Sequence, residues 1–240
     1  METPRSMLIV SAHAADFVWR AGGVIGLHTS NGGKATIISL SYGENGESGD
    51  LWRKPGQTVE IVKSHRHAEA LAASTALGAE FIPMDLGDYP LDISRESLKK
   101  LASIYVGKIP DVLLVHAPED PFNPDHPVAS FAAQKARLLA TGAGGVPASF
   151  KTIPPPVMYA FEPQQPDLCS FKPDTFVDVT NVWQIKKEAM SVMVSQSYLQ
   201  DHYTRRAEQR AFQSRYAGFG KDTRYVEAFQ RLTPEKRSYL

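Results

Sequence analysis

The sequence has a single cysteine, no excess of charge of either sign and no long apolar run, and each absence excludes a class of protein. Cys169 cannot form a disulfide within the chain, which is typical of a reducing compartment. Basic and acidic residues number 26 each, so no net charge would attract nucleic acid or an anionic membrane. The apolar run at 7–10 is too short for a signal peptide or a membrane span. We therefore expect a cytoplasmic protein that acts on a small molecule and binds neither nucleic acid nor membrane.

Short apolar runs alternate along the chain with segments of helical period, a pattern typical of βαβ units. The length of 240 residues and the hydrophobic fraction of 42% suit one core rather than several. We predict a single α/β domain over residues 1–240 with a mostly parallel sheet. Its strands are predicted at 7–12, 35–41, 80–84, 111–116, 157–161 and 175–179. Its helices are predicted at 19–30, 58–77, 94–106, 127–140, 182–200 and 202–216.

Polar residues follow two of the predicted strands. His13 and Asp16 come directly after the first strand, and the fourth strand runs into His116 and a polar loop that contains His126. Because the carboxyl ends of strands form the ligand crevice of open α/β sheets, we expect these residues to converge. Two imidazoles and one carboxylate would leave a coordination position open, as in catalytic zinc sites, although the same ligands suit iron, manganese or cobalt. His116 is expected to support this site through hydrogen bonds rather than to bind the metal.

The segment MLIVSAHAADFVWRAGG resembles the first motif of the PIG-L/LmbE family of zinc-dependent enzymes, which has a strand, Ala-His-Pro-Asp-Asp-Glu and a Gly-Gly helix start. The resemblance continues in SLSYGENGE, RHAEALAASTALG, NPDH and DVTNVWQIKKEAMSVMVSQ. It implies a Rossmann-like three-layer fold and a Zn²⁺ ion bound by His13, Asp16 and His126. These are the three residues that the strand ends already indicate.

The chain departs from the family's deacetylases at the residues that carry hydrolysis. Ala15 stands where those enzymes have an aspartate that serves as general base, and a methyl group cannot accept a proton. Asn123 stands where they have a histidine that assists the tetrahedral intermediate. Ala14 and Phe17 also replace the proline and glutamate of the first motif. The resemblance therefore implies an intact metal site without the hydrolytic machinery.

Three segments, HAADFVWRAGG, GENGES and LWRK, are similar to one branch of the family, the 4-oxalomesaconate hydratases of gallate catabolism. This resemblance implies a zinc-dependent lyase that adds water to a conjugated oxo-polycarboxylate, most concretely 4-oxalomesaconate, in gallate or protocatechuate breakdown. An N-acetyl deacetylase is the alternative enzyme, and a metal-binding relic without catalysis is the third reading. Gln164 or Gln165 occupies a turn where the branch has a histidine, so the general acid stays open.

The loop at 43–57 follows the second predicted strand and combines glycines with acidic residues, which is typical of a lid over an α/β site. Hydration needs a group that activates water and a group that protonates carbon. Glu47 is the preferred catalytic residue, with Glu44 as its competitor from the same loop. Asn123, at the position of the deacetylases' histidine, completes the predicted catalytic pair.

A substrate with several carboxylates calls for guanidinium groups in the pocket. Arg20, near the start of the first helix, is the first candidate, and Arg53 in the lid and Arg66 on the following helix are the others. The oligomeric state stays open, and a homo-oligomer fits the sequence as well as a monomer does.

Overall fold

One seven-stranded sheet forms the centre of the molecule, in a computed structural model that describes residues 5–145 and 151–234. The strands are β1 (Ser6–Ser11), β2 (Lys34–Ser39), β3 (Glu80–Pro83), β4 (Val112–Val115), β5 (Val157–Phe161), β6 (Thr175–Asp178) and β7 (Val226–Arg231). Their order is β3-β2-β1-β4-β5-β7-β6. Every neighbouring pair is parallel except the two that β7 makes with β5 and β6. The predicted mostly parallel sheet is confirmed.

Helices cover both faces of this sheet. They are α1 (Asp16–Ser30), α2 (Gly49–Trp52), α3 (Val59–Ala76), α4 (Arg95–Lys108), α5 (Asp125–Thr141), α6 (Trp183–Ser191) and α7 (Leu199–Ser214). The helices α1, α3, α6 and α7 pack on one face, and α4 and α5 pack together on the other. This arrangement is the three-layer α/β fold that the sequence predicted. Among the described residues, no helix has the length and apolar content needed to cross a membrane.

Strand β1 lies inside the sheet and is buried on both faces. Leu8 and Val10 contribute to the core beneath α4 and α5, whereas Met7 and Ile9 contribute to the core beneath α1. A strand covered on both faces reads as a continuous apolar run, because successive side chains point to opposite sides. The polar residues that follow β1 therefore begin at the carboxyl edge of the sheet.

Two parts of the predicted element pattern are wrong. The helix predicted at 182–200 ends at Ser191, and a short 3-10 turn at Val194–Gln196 separates it from α7. The amide of Ser195 donates to the Glu69 carboxylate on α3 over 2.8 Å, so a tertiary contact replaces a helical hydrogen bond. Strand β7 was not predicted, because it includes Glu227, a charged residue that is nevertheless 5% exposed.

Smaller differences concern single residues and loops. The apolar pattern of the helix predicted at 58–77 places Val59 inward, but Val59 is 38% exposed in the first turn of α3, where Thr58 caps the helix by accepting from the amide of Ile61. The stretch at 141–156, where several glycines and prolines predict a loop, lies partly outside the described residues. The predicted lid at 43–57 contains the four-residue helix α2.

Candidate active site

Four side chains meet at the carboxyl edge of the sheet. His13 and Asp16 follow β1, Glu47 lies in the loop after β2, and His126 lies in the first turn of α5. One nitrogen or oxygen atom of each side chain lies within 4.8 Å of the corresponding atoms of the others. The structure thus brings together the three predicted metal ligands and adds the predicted catalytic glutamate to them.

Carboxylates behind the two imidazoles set the tautomers of the rings. His126 Nδ1 lies 2.7 Å from Asp120 Oδ2, and His13 Nε2 lies 3.3 Å from Asp125 Oδ2. A proton on each of these nitrogens leaves a lone pair on the opposite nitrogen, which is how metal-binding histidines are held. Those opposite atoms, His13 Nδ1 and His126 Nε2, are buried without a hydrogen-bond partner in the part of the chain that the structure describes.

The unpartnered nitrogens face carboxylate oxygens rather than donors. His13 Nδ1 lies 3.4 Å from Asp16 Oδ2 and 3.2 Å from Glu47 Oε1, and His126 Nε2 lies 3.5 Å from Asp16 Oδ1. Lone pairs and anionic oxygens directed at one point repel each other unless a cation lies between them. Two carboxylates and two neutral imidazoles carry a charge of about −2, which suits a divalent ion. The residues present therefore fit a metal ion.

The same cluster changes the protonation of its members. Burial disfavours the charged form of His13, but Glu47, Asp125 and Asp16 outweigh burial and raise the pKa of His13 well above its usual value. Burial also disfavours the charged form of Asp16, yet the facing His126 holds the pKa of Asp16 well below its usual value. A proton on His13 and a metal ion would compete for one lone pair, so metal binding should release a proton.

His116 lies behind the cluster rather than in it. Its Nε2 atom accepts a hydrogen bond from the amide of Ala12 at 2.9 Å, which requires an unprotonated nitrogen there. The ring stacks on His126 with centroids 4.1 Å apart. Burial and the neighbouring His126 lower the pKa of His116 to about 3, so the ring is neutral at physiological pH. It packs against a cluster residue without adding charge.

Asn123 fixes the position of Glu47. The amide of Asp125 donates to Asn123 Oδ1 at 3.2 Å, and this contact leaves Nδ2 to donate to Glu47 Oε1 at 3.2 Å. Burial raises the pKa of Glu47, but His13 outweighs it and the net pKa is lowered. Glu47 is thus ionised at neutral pH and aimed at the cluster. Glu44, its predicted competitor, turns away and lies 3.3 Å from Lys63 Nζ.

The loop that carries Glu47 is tied down by backbone contacts. The amides of Asn45 and Gly46 both donate to the carboxylate of Asp88, at 3.0 Å and 2.9 Å. Gly46 is required here, because a Cβ at this position would clash with the ring of Tyr89. The Trp52 indole N–H donates to the carbonyl of Glu44 at 2.6 Å and folds α2 back onto the loop.

The three arginines predicted to bind substrate have different positions. Arg20 lines the pocket beside the cluster, is 7% exposed, and has a buried Nε without a hydrogen bond to any described residue, 3.4 Å from Asp16 Oδ1. Arg53 does not line this pocket, because its side chain is 80% exposed and pairs with Asp50. Arg66 is fully buried beneath the pocket and is satisfied by protein groups.

One wall of the pocket presents hydrogen-bond donors. We call Arg20, Gln196 and Tyr203 the donor wall, and the cluster His13, Asp16, Glu47 and His126 the acceptor floor. Tyr203 stacks on Trp19 with ring centroids 5.7 Å apart, and burial raises the pKa of Tyr203 to about 12, so the phenol keeps its proton. Gln196 ends the recognised segment DVTNVWQIKKEAMSVMVSQ, but nothing in the sequence assigned it to the pocket, and Tyr203 lies outside the recognised motifs. The other lining residues are Trp19, Gly46, Tyr89, Asp120, Phe122, Asn123, Gln164, Gln165, Tyr198 and Leu199.

Comparison with known proteins agrees with the resemblance that the sequence motifs carry. Residues 8–137, more than half of the chain, match the family model described as GlcNAc-PI de-N-acetylase, PIG-L. The chain belongs to the PIG-L family. Within this family it is 44% identical over 238 residues to 4-oxalmesaconate hydratase from Pseudomonas putida KT2440, covering 98% of this chain and 92% of that protein. The resemblance to the hydratase branch is confirmed.

Solved structures of the PIG-L fold agree. The crystal structure of GalB, the 4-carboxy-2-hydroxymuconate hydratase from Pseudomonas putida KT2440, superposes with a TM-score of 0.94 at 44% identity, covering 98% of this chain and 99% of that one. N,N'-diacetylchitobiose deacetylase from Pyrococcus horikoshii gives a TM-score of 0.75 at 20% identity, covering 95% of this chain and 84% of that one. The second comparison shows a shared fold alone.

Proposed function

We propose that this protein is a zinc-dependent hydro-lyase that adds water to the conjugated double bond of an oxo-polycarboxylate of the 4-oxalomesaconate type, as in gallate breakdown. The observation that carries the proposal is the pairing of the acceptor floor with the donor wall in one pocket. The floor suits a cation, and the wall suits an anion. The 44% identity to a hydratase over nearly the whole chain supports the same reaction class.

The residues that would hold zinc are His13, Asp16 and His126. Zinc bound there would act as a Lewis acid that polarises the oxo group conjugated to the double bond. Asp120 and Asp125 hold the two imidazoles in the tautomer that binding needs. This support is typical of functional metal sites, in which residues behind the ligands orient them.

Glu47 is the residue that we assign to proton transfer. Its ionised carboxylate can take a proton from water while the water oxygen bonds to the electrophilic carbon. The neighbouring carbon then needs one proton, and Glu47 can return the one that it took, so that the sum is addition of one water molecule. Gln164 and Gln165 line the pocket but carry no transferable proton, so neither can replace Glu47 in this step.

Arg20 is the residue that we assign to a substrate carboxylate. Its side chain lines the pocket and is 7% exposed, and a carboxylate of the substrate could accept from its guanidinium group. Arg20 also lies close to Asp16, so a bound carboxylate would be held beside the floor. The substrate would then span both halves of the pocket.

The deacetylase alternative lacks the residues that it needs. Ala15 is fully buried in the apolar core beside α1 and offers no carboxylate. Asn123, at the position of the deacetylases' histidine, holds Glu47 by a hydrogen bond. Hydration uses Glu47 and the floor as they stand.

Ultraviolet absorbance tests the proposal, because hydration removes the conjugated chromophore of the substrate. The zinc-loaded protein should bleach 4-oxalomesaconate and should leave N-acetylglucosamine conjugates intact. Glu47→Gln, at equal zinc content, is the matched control and should bleach slowly. Turnover of the N-acetyl conjugates without bleaching would show that the protein is a deacetylase and would refute the proposal.

A further inference from the structure

Gln196 lies in the donor wall and is held by two groups that can only donate hydrogen bonds. Arg66 Nη2 lies 3.1 Å from Gln196 Oε1, and the Trp19 indole Nε1 lies 3.4 Å from the same oxygen. Guanidinium and indole N–H groups never accept, so the carboxamide atom that faces them must be the oxygen. The orientation of this amide therefore follows from the chemistry of its two neighbours.

Further hydrogen bonds behind Gln196 hold the guanidinium group of Arg66 in place. Arg66 also donates to the carbonyl of Tyr42 at 3.1 Å, to the Glu69 carboxylate at 3.2 Å and to Ser195 Oγ at 2.6 Å. The hydroxyl of Ser195 in turn donates a hydrogen bond to Glu69 Oε2 at 2.5 Å. A fully satisfied buried network of this kind is rigid, because breaking one contact leaves a buried charge unpaired.

The nitrogen of the same amide is consequently turned towards the pocket. Gln196 is 4% exposed and lines the pocket together with Arg20 and Tyr203. The exposed side chain of Tyr198 also lines this pocket. A fixed amide with its donors towards an anion site can bind a carboxylate oxygen at little cost in side-chain entropy.

We propose that Gln196 is a specificity-determining residue that donates a hydrogen bond to a carboxylate of the substrate, and that Arg66 is the residue that positions it. This inference rests on the proposed function for the identity of the substrate. It also gives Arg66 a role other than the direct substrate contact predicted from the sequence. Arg66 acts from beneath the pocket, through the orientation of one amide.

Gln196→Glu tests the donor directly. The new carboxylate keeps an oxygen for Arg66 and Trp19 and replaces only the N–H groups that face the pocket. We expect KM for the oxo-polycarboxylate to rise about 10- to 100-fold while kcat stays within about threefold, as for loss of a hydrogen bond to a charged group. The affinity for propane-1,2,3-tricarboxylate, which has no double bond to hydrate, should fall by the same factor in calorimetry.

The control is Gln209→Glu, which adds the same charge at an exposed position of α7 that does not line the pocket. Its side chain can turn to solvent, so KM should change less than about threefold, since exposed charges are screened. An equal effect of the two variants would show a general charge effect and would overturn the role of Gln196. An unchanged KM and tricarboxylate affinity in Gln196→Glu would overturn it as well.

Arg66→Lys tests the positioning role, because lysine keeps the charge for Glu69 but lacks the second nitrogen that reaches Gln196. We expect KM to rise about three- to tenfold with kcat unchanged. The double variant Arg66→Lys with Gln196→Ala should have the same KM as Gln196→Ala alone. Additive effects in the double variant would refute the coupling. If the unmodified protein fails to hydrate the substrate, the proposed function fails, and the tricarboxylate affinities still decide the role of Gln196.

Discussion

The two halves of the pocket are built from opposite kinds of hydrogen-bonding group. The acceptor floor joins two carboxylates with two imidazole nitrogens that are buried without a hydrogen-bond partner among the described residues. The donor wall joins a guanidinium, an amide and a phenol that keep their protons at neutral pH. A buried acceptor cluster requires a cation, and a donor cluster requires an anion. The metal ion and the substrate carboxylates therefore have separate binding places in one pocket.

Loss of a floor imidazole should have the largest effect. His126→Ala removes one of the lone pairs that would bind zinc beside Asp16, so zinc should no longer be retained. We expect hydration to fall to the background rate and zinc to disappear from the purified protein by elemental analysis. Normal zinc content in this variant would mean that the floor is not the metal site.

Glu47→Gln should have the next largest effect. It distinguishes the floor residues that bind the metal from the residue that transfers the proton. If Glu47 moves a proton, turnover should drop by about two to four orders of magnitude at unchanged zinc content. Steady-state kinetics and metal analysis on the same preparation would measure both. A proportional loss of zinc would instead make Glu47 a fourth ligand.

Arg20→Lys should weaken substrate binding by the donor wall and leave metal binding by the acceptor floor unchanged. Lysine keeps the charge but not the planar pair of donors that suits a carboxylate, so KM should rise about tenfold or more with little change in kcat. Zinc affinity serves as the control, since the floor keeps all its ligands. A drop in kcat with an unchanged KM would place Arg20 in the chemical step.

Asp120→Asn should have the smallest effect of the four on hydration at saturating zinc. The asparagine can still meet His126 Nδ1, but it no longer strengthens the basicity of the ring. We expect zinc to bind about 10- to 100-fold more weakly, measured by competition with a chelator. At saturating zinc, KM should be unchanged, and a raised KM would mean that Asp120 reaches the wall.

The acceptor floor could be predicted because its residues follow strands directly. His13 and Asp16 come within a few residues of β1, and His126 lies shortly after β4, so the carboxyl edge of a parallel sheet brings them together. Glu47 was predictable from its loop for the same reason. Only sequence order and strand direction are needed for such an inference.

Arg20 was the one residue of the donor wall that the sequence indicated, whereas Gln196 and Tyr203 could not be predicted because their places depend on tertiary contacts. Gln196 owes its place to a break between α6 and α7 that the Ser195–Glu69 contact stabilises, where the helical pattern predicted continuity. Arg53 and Arg66 were expected at the substrate from their residue type and from their places in the lid and on the following helix. The structure turns Arg53 outward at the end of α2 and buries Arg66 behind Gln196. Residue type indicates chemistry, but packing decides which face each side chain presents.

The most direct test of this account is a zinc titration of metal-free protein, followed by the loss of 4-oxalomesaconate absorbance. The account predicts that activity is absent at the start, rises in proportion to added zinc and stops rising at one ion per chain. Full activity in protein that elemental analysis shows to be free of divalent metal would contradict it.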